Sequence, residues 1–186
     1  TYESYNSIIK NNVITNDQSA CLAESSSYNA YIYNNSCYNT AIDRKGAILI
    51  TNESVSGQGG TNVFVRDNII ENFSTRPMVL IQPGAMTDDT TLHIDHNMYF
   101  DPGGVTFQWD ERGLYGASFA AWQAAGFDTY SLVANPLYAN QATLILKQRS
   151  PALDAGVPLA AVRHDMTGVR RPTMGPVSLG AYEKPG

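Results

Sequence analysis

The segment Tyr31-Ile32-Tyr33-Asn34-Asn35-Ser36-Cys37 decides the fold, because its pattern occurs four times along the chain. In each copy a β-branched aliphatic residue precedes two polar or aromatic residues, an asparagine and a short run that suits a strand. The other copies align with it without gaps and are Ile8–Ile14, Phe64–Ile70 and His93–Tyr99. A pattern that returns in this way predicts a chain built from stacked units of similar structure.

The central residue of the repeat is an asparagine, which returns after 23, 33 and 29 residues. Such intervals are typical of one turn of a parallel β-solenoid with extra residues looped out. Asparagine tolerates the left-handed backbone of a tight corner, and its amide both donates and accepts hydrogen bonds. We therefore expect two internal ladders. The amide ladder is Asn12, Asn35, Asn68 and Asn97, and the aliphatic ladder is Ile9, Ile32, Val65 and Ile94.

A second set of short apolar runs lies between the repeats, and Gly46, Pro77 and Gly104 open three of them. The runs are residues 47–51, 78–82, 105–109 and 20–24. Short apolar runs bounded by turn residues favour buried parallel strands. Aligned by residue type, they place four side chains in one column beside a groove, namely Glu24, Thr51, Gln82 and Trp109.

The composition restricts the class of protein. Of the 186 residues, 16% are charged, and the chain holds 15 asparagines but 4 lysines. This balance disfavours a coiled coil or helical bundle and favours an all-β fold with many turns. The net charge of −5 argues against a nucleic-acid partner, since no basic patch could neutralise phosphates. No apolar run approaches the ~18 residues of a membrane-spanning helix, so no membrane partner is expected.

The cysteines and the polar composition bear on the compartment. Cys21 and Cys37 lack the spacing of a metal site, and they form either one disulfide or two buried thiols. The sequence leaves both alternatives open. Few lysines together with many Asn, Ser, Thr and Tyr residues indicate a secreted or cell-surface protein.

The C-terminal part of the chain differs from the repeats. Ser118 is a predicted helix N-cap and Gly126 a predicted stop, and Phe119 and Trp122 lie on one face of this helix. We expect Trp122 in the core beneath the helix. The open end of a solenoid exposes a cross-section of its core and needs a cap. We therefore assign residues 1–116 to coils with the asparagine ladder, and residues 117–186 to last coils and a C-terminal cap of the same domain.

Segments of this C-terminal part resemble the end of bacterial β-helix proteins of the pectate-lyase-like superfamily. They are Phe119–Asp128, Asn135–Tyr138, Ser150–Gly156 and Leu179–Glu183. With the repeats, the resemblance covers nearly the whole chain. It implies a fold class that is all-β, a right-handed parallel β-helix (solenoid) with a short C-terminal helix and an irregular cap. It also implies a secreted protein that acts on, or binds, acidic or plant cell-wall polysaccharides, as the β-helical carbohydrate-binding modules of xylanases do.

The same resemblance suggests a module of something longer. Asn12 occupies a full ladder position close to the first residue, and no capping segment precedes it. We expect further coils before residue 1, or a catalytic domain on the same polypeptide. The module itself is expected to be monomeric.

The candidate ligand-binding residues are those beside the aliphatic ladder. If that ladder points inward, its neighbours point outward from a flat sheet. Aromatic rings stack on sugar rings while polar neighbours bind the hydroxyl groups. Two residues of the second set of strands join them, and the predicted carbohydrate-binding residues are Tyr31, Tyr33, Phe64, Arg66, His93, Asp95, Trp109 and Gln82.

Three functions are compatible with this pattern. The first is a non-catalytic carbohydrate-binding module for a plant cell-wall polysaccharide such as xylan. The second is part of a polysaccharide lyase or glycoside hydrolase, which would use carboxylates with Ca²⁺ and a base such as Arg44, Lys45 or Arg76. The third is an adhesin or structural spacer. Spacing singles out no carboxylate pair and no metal site, so no catalytic residue is assigned, and Ca²⁺ is the one cofactor left open.

Overall fold

A computed structural model describes residues 1–53 and 57–184 of the chain. Within these residues it contains sixteen strands and one short α-helix. The strands in chain order are β1 (Ser4–Lys10), β2 (Val13–Thr15), β3 (Leu22–Ser25), β4 (Ser27–Tyr33), β5 (Ser36–Tyr38), β6 (Ile48–Thr51), β7 (Thr61–Arg66), β8 (Ile69–Glu71), β9 (Val79–Ile81), β10 (Leu92–Asp95), β11 (Met98–Phe100), β12 (Phe107–Trp109), β13 (Leu114–Ala117), β14 (Leu132–Val133), β15 (Tyr138–Asn140) and β16 (Ile145–Leu146). The helix α1 (Phe119–Ala124) lies between β13 and β14.

The chain passes through three sheets in rotation. Sheet A has the order β1-β4-β7-β10, sheet B the order β14-β11-β8-β5-β2, and sheet C the order β13-β12-β9-β6-β3. Neighbouring strands in these sheets are parallel except β12 and β13, which are antiparallel. Every third strand from β1 to β12 therefore joins the same sheet. The predicted all-β class with mostly parallel sheets and a short helix is confirmed, and the topology is compatible with a β-helix.

The predicted amide ladder is present where the chain turns from sheet A to sheet B. Asn12 Nδ2 donates to Asn35 Oδ1 over 2.8 Å. Equivalent bonds of 3.0 Å run from Asn35 to Asn68 and from Asn68 to Asn97. The last three asparagines are buried. Each amide therefore provides the hydrogen bonds that water would otherwise make with the neighbouring amide.

The backbone turns one residue earlier than the sequence pattern predicted. None of the ladder asparagines has a positive φ, whereas the residue before each one does. These corner residues are Asn11, Asn34, Asp67 and His96, with φ between 52° and 58°. Asparagine, aspartate and histidine are the side chains that tolerate this conformation best. The corner therefore consists of a left-handed residue followed by an inward-pointing asparagine.

The core is aliphatic along most of the coils and aromatic at its C-terminal end. Ile9, Ile32, Val65 and Ile94 are register neighbours, as predicted. At the far end the ring of Trp122 lies 5.1 Å from that of Phe107 and 4.7 Å from that of Phe127. Ser118 caps α1, since its hydroxyl accepts a hydrogen bond from the Ala121 backbone. The predicted helix and the buried position of Trp122 are both confirmed.

The register of sheet C differs by one residue from the alignment by residue type. Glu24 pairs with Ile50, and Trp109 pairs with Ile81. Because side chains alternate between the two faces of a strand, a slip of one residue turns both side chains inward. The predicted column is therefore wrong for Glu24 and Trp109. Short apolar runs fit either register equally well, and residue type alone could not choose between them.

After β14 the chain leaves the end of the coils and runs back over the outer face of sheet B. A second apolar cluster forms there, consisting of Ile69, Met98, Tyr138, Leu144, Ala152 and Leu179. Residues 117–133 close the end of the core, as a cap was expected to do. Residues 134–184 instead cover a sheet face, and Pro185 and Gly186 lie outside the described residues.

A disulfide joins Cys21 to Cys37, whose Cα atoms are 6.1 Å apart. It decides between the two alternatives that the sequence left open. The bond spans 16 residues and links the start of sheet C to the buried strand β5 of sheet B. A crosslink over such a loop stabilises the fold by about 3 kcal/mol, mainly by restricting the unfolded chain.

Candidate functional site

Three of the predicted binding residues form a stack of rings on the outer face of sheet A. Tyr31, Phe64 and His93 are register neighbours. Successive ring centroids are 5.4 Å and 4.6 Å apart, with interplanar angles of 17° and 19°. Both faces of Phe64 are therefore covered by its neighbours, and its ring presents an edge to solvent. This stack stiffens the surface more than it offers free ring faces to a sugar.

Tyr33, in the next outward column, is buried. It is 7% exposed, and burial raises the pKa of its hydroxyl to about 12. Lys10 occupies the same column, and its ammonium donates to the carbonyl of Ala161 over 2.6 Å. Lys10 is exposed, whereas Tyr33 does not lie on an open surface, so the prediction that Tyr33 contacts a glycan does not fit its position.

Arg66 and Asp95 complete this column nearer the C-terminal end of the coils. The Arg66 guanidinium carbon lies 5.9 Å from the centre of the Phe64 ring. One carboxylate oxygen of Asp95 accepts hydrogen bonds of 2.8 Å from the backbone of both His96 and Tyr130. Asp95 therefore holds the corner and the segment before β14 in place, whereas Arg66 remains half-buried beside the ring stack.

A cluster of three tyrosines on the same outer face was missed from the sequence. The rings of Tyr5 and Tyr28 lie 5.7 Å and 5.3 Å from that of Tyr2, at steep angles that leave ring faces open. Tyr5 is 58% exposed and Tyr28 is 37% exposed. The signal was present, because Tyr5 and Tyr28 are separated by the same interval as the ladder residues Asn12 and Asn35. Extending the aligned repeat upstream would have found them.

A second row of amides separates the tyrosine cluster from the ring stack. Asn29 Nδ2 donates to Asn6 Oδ1 over 2.8 Å, and Asn62 Nδ2 donates to Asn29 Oδ1 over 2.9 Å. All three asparagines have positive φ and bend the strands of sheet A outward. The outer face of sheet A thus carries tyrosines, amides and stacked rings in three adjacent rows. We call it the aromatic face.

The predicted residues of sheet C do not join this surface. Trp109 is fully buried, with its ring 5.5 Å from Phe127 and 4.9 Å from the Arg112 guanidinium carbon. The register turns this side chain into the core, a position that does not fit the prediction that it stacks on a ligand. Gln82 lies in a different sheet, where it accepts a hydrogen bond from the hydroxyl of Thr51.

Several charged loop residues near sheet C bond to one another or to the backbone. Arg112 and Asp89 form an ion pair of 3.0 Å, and Arg76 donates to the carbonyl of Asp43. Within residues 1–53 and 57–184, no three His, Cys, Asp or Glu side chains come together in a way that could hold a metal ion. The geometry therefore gives no support to a calcium-dependent lyase centre at this groove.

Among the buried carboxyl groups of the described residues, three have a pKa raised to near neutrality and lie in different elements of the fold. They are Glu24, Asp67 and Glu71, which are at most 5% exposed. Burial raises the pKa of each carboxyl to about 7. Asp67 lies under the C-terminal part of the chain and accepts from the backbone of Val157 over 3.3 Å. No two of them share a site, so they do not form the carboxylate pair of a glycosidase.

The raised pKa values of these carboxyl groups predict that the free energy of unfolding falls as the pH rises. The folded protein binds the protons of these carboxyl groups more tightly than the unfolded chain does. Their contribution to the free energy of unfolding is therefore complete below about pH 4 and is lost as the pH rises through about 7. We expect the free energy of unfolding to be lower by at least ~2 kcal/mol at about pH 8 than at about pH 5. Urea titrations at both pH values measure this difference.

A matched pair of variants isolates the effect. Asp67→Asn cannot ionise and should reduce the pH difference, whereas Asp154→Asn should not, because Asp154 is exposed. Both residues have nearly the same positive φ, of 58° and 56°. Stability that rises between the two pH values would contradict the assignment.

Comparison with known proteins leaves the function to be argued from the site itself. The chain matches no family model, no curated protein and no solved structure. No helix among the described residues is long and apolar enough to cross a membrane.

Proposed function

We propose that the chain is a right-handed parallel β-helix that binds a plant cell-wall polysaccharide, with xylan as the favoured ligand, through its aromatic face. The observation that carries the proposal is the cluster of Tyr2, Tyr5 and Tyr28, the last two of them exposed, next to a row of amides on the outer face of sheet A. Tyrosine rings offer apolar faces to the C–H side of a sugar, and amides offer a donor and an acceptor to each hydroxyl. A monomeric, non-catalytic module suits such a surface.

The surroundings of this face support a neutral ligand. Burial and the nearby Arg66 lower the pKa of His93, which disfavours its charged form. The tyrosines and asparagines carry no charge, and Arg66 lies beside the ring stack rather than in the tyrosine cluster. A disulfide supports an oxidising, extracellular compartment, where a cell-wall polysaccharide would be met. We therefore favour a secreted binding module over an intracellular protein.

The proposal predicts a defect that depends on exposed rings. Replacing both Tyr5 and Tyr28 by alanine should weaken binding by about tenfold, because two aromatic–sugar contacts of about 0.5–1.5 kcal/mol are lost. Affinity electrophoresis in gels containing soluble xylan measures the shift. Met174→Ala is the control, since Met174 is 85% exposed and lies in the C-terminal part.

Three outcomes would contradict this function. Unchanged retention of the Tyr5→Ala/Tyr28→Ala variant would show that the aromatic face is not the binding surface. Release of unsaturated uronates from pectin or alginate, lost on adding a chelator, would instead identify a lyase. A protein that neither binds nor cleaves any of these polysaccharides would be a spacer or adhesin.

A further inference from the structure

A small cavity of about 210 Å³ lies where the C-terminal part of the chain crosses sheet B. Glu71 of β8 forms its floor. Its other walls come from the segment that runs back over the sheet, and they are Asn135, Leu137, Tyr138, Gln141 and Lys147. We call this the Glu71 cavity. It is remote from the aromatic face, because sheets A and B are different walls of the coil.

Two buried polar groups of the Glu71 cavity, the Glu71 carboxyl and the Tyr138 hydroxyl, lack a hydrogen-bond partner within the described part of the chain. Glu71 is 5% exposed, yet among residues 1–53 and 57–184 no hydrogen bond or ion pair reaches its carboxylate. The buried hydroxyl of Tyr138 approaches Ser36 without a well-formed hydrogen bond. Asn135, Gln141 and Lys147 are exposed at the rim of the cavity, and Asn135 Oδ1 accepts from the backbone of Leu137 over 2.8 Å. Buried polar groups are almost always satisfied in folded proteins, so this cavity is suited to a polar ligand.

An aromatic edge borders the cavity. The Tyr38 ring lies 6.5 Å from that of Tyr138 and 5.4 Å from that of Phe73, both in edge-to-face geometry. Phe73 is 47% exposed. On its other side it lines a shallow hollow of about 310 Å³ together with Asp101 and Thr106. A ligand that filled the cavity could therefore extend across an exposed ring.

The polar groups around the cavity match the hydroxyl groups of a neutral ligand. Side-chain amides of Asn135 and Gln141 both donate and accept, which matches the two roles of a hydroxyl group. Burial raises the pKa of Glu71 to about 7, so in mildly acidic solution its carboxyl also donates and accepts. The volume suits a single sugar ring better than a larger molecule.

We propose that the Glu71 cavity and the adjoining Tyr38–Phe73 edge form a second carbohydrate site, which holds one neutral sugar ring of a polysaccharide chain. This inference rests on the proposed function, because it assumes that the ligand is a neutral glycan. It adds a site on a different wall of the coil, made by residues far apart in the sequence. Two sites on one module would raise its retention on a polymer through avidity.

Isothermal titration of the whole chain with xylotetraose, at about pH 6, tests the inference. We expect two binding events in the wild type. Glu71→Leu and Phe73→Ala should each weaken one event by at least ~tenfold and leave the other unchanged. Glu71→Gln preserves shape and hydrogen bonding and should stay within about threefold of the wild type. Met174→Ala is the surface control, and thermal unfolding checks that each variant is folded.

The outcomes separate this inference from the proposed function. If the Tyr5→Ala/Tyr28→Ala variant loses binding while Glu71→Leu and Phe73→Ala retain both events, the second site is overturned and the aromatic face stands. If no neutral oligosaccharide binds the wild type, both are overturned. Tighter binding of tetragalacturonate than of xylotetraose in the Glu71 cavity would overturn the neutral ligand class. Should Glu71→Leu fail to fold, Phe73→Ala decides, because half of that ring is exposed.

Discussion

Replacing Asn68 by alanine should lower the free energy of unfolding by about 4 kcal/mol. Asn68 lies at the centre of the amide ladder and is fully buried. Its Oδ1 accepts from both the backbone and the side-chain nitrogen of Asn35, each over 3.0 Å. Its Nδ2 donates to Asn97 Oδ1 and to the carbonyl of Ile32. Alanine would leave these partners buried without water or protein to bond them, at about 1–3 kcal/mol for each group.

Chemical denaturation of the variant and the wild type measures this loss. Asn12→Ala is the matched control, because Asn12 belongs to the same ladder but is exposed at its first coil. We expect the control to lose about 1 kcal/mol or less, since water can replace its bonds. Equal losses for the two variants would show that burial of the ladder does not contribute to stability as described.

Asp128→Ala should have an effect of similar size at the C-terminal end of the core, about 4 kcal/mol. The buried carboxylate accepts from Trp122 Nε1 over 2.7 Å, from the Tyr99 hydroxyl over 3.0 Å and from Asn97 Nδ2 over 3.2 Å. It also accepts from the hydroxyl of Ser131. Asp128 thus joins the last ladder amide to the capping helix, and its loss leaves several buried donors without an acceptor.

Two readouts check this prediction. Urea denaturation gives the change in stability, and tryptophan fluorescence reports whether Trp122 becomes solvated. Asp154→Ala is the control, because Asp154 has a φ of 56° against 51° for Asp128 but is exposed. Alanine at a positive φ strains the backbone, and it should destabilise the two variants by a similar amount for this reason. If Asp154→Ala were as destabilising as Asp128→Ala, backbone strain rather than the hydrogen bonds would account for the effect.

The ladder could be predicted because its chemistry is local and repeated. A buried amide must find a donor and an acceptor, and in a stack of coils the equivalent amide above supplies them. Asn12, Asn35, Asn68 and Asn97 therefore recur in one frame of the sequence. The aliphatic ladder follows the same frame, since Ile32 and its counterparts precede the asparagine at a constant distance.

The register of sheet C could not be predicted in the same way. Its runs are short and apolar on both sides, so the alternation that marks the inner face is weak. Trp109 was expected outside and lies inside, and Glu24 is buried as a consequence of the same slip. A polar residue at an inward position violates the simple pattern. Burial at this position raises the pKa of the Glu24 carboxyl.

The path of residues 134–184 could not be predicted from the sequence either. The cluster of Tyr138, Leu144 and Leu179 packs on Ile69 and Met98, which are outward-facing residues of sheet B. Apolar residues on an outer face indicate a cover, but they do not say which segment supplies it. Long-range contacts such as that of Val157 with Asp67 decide this, and such contacts leave no periodic trace in the sequence.

Some positions of the candidate binding residues follow from the repeat, and others depend on the tertiary structure. Tyr31, Phe64 and His93 fall in one column because the repeat frame predicts it, and their mutual stacking follows from the strand spacing. The assembly of the Glu71 cavity depends on the returning C-terminal segment, and the burial of Tyr33 is likewise not predicted by its outward position in the repeat.

By itself the sequence determined the parallel strand repeat, the amide and aliphatic ladders and the capping helix, because each arises from residues that interact with their own copies one turn away. Only the tertiary structure decided which side chains remain exposed. Exposure depends on the exact pairing of strands in sheet C and on where a distant segment comes to rest, and both are settled by the total burial of apolar surface rather than by any local pattern.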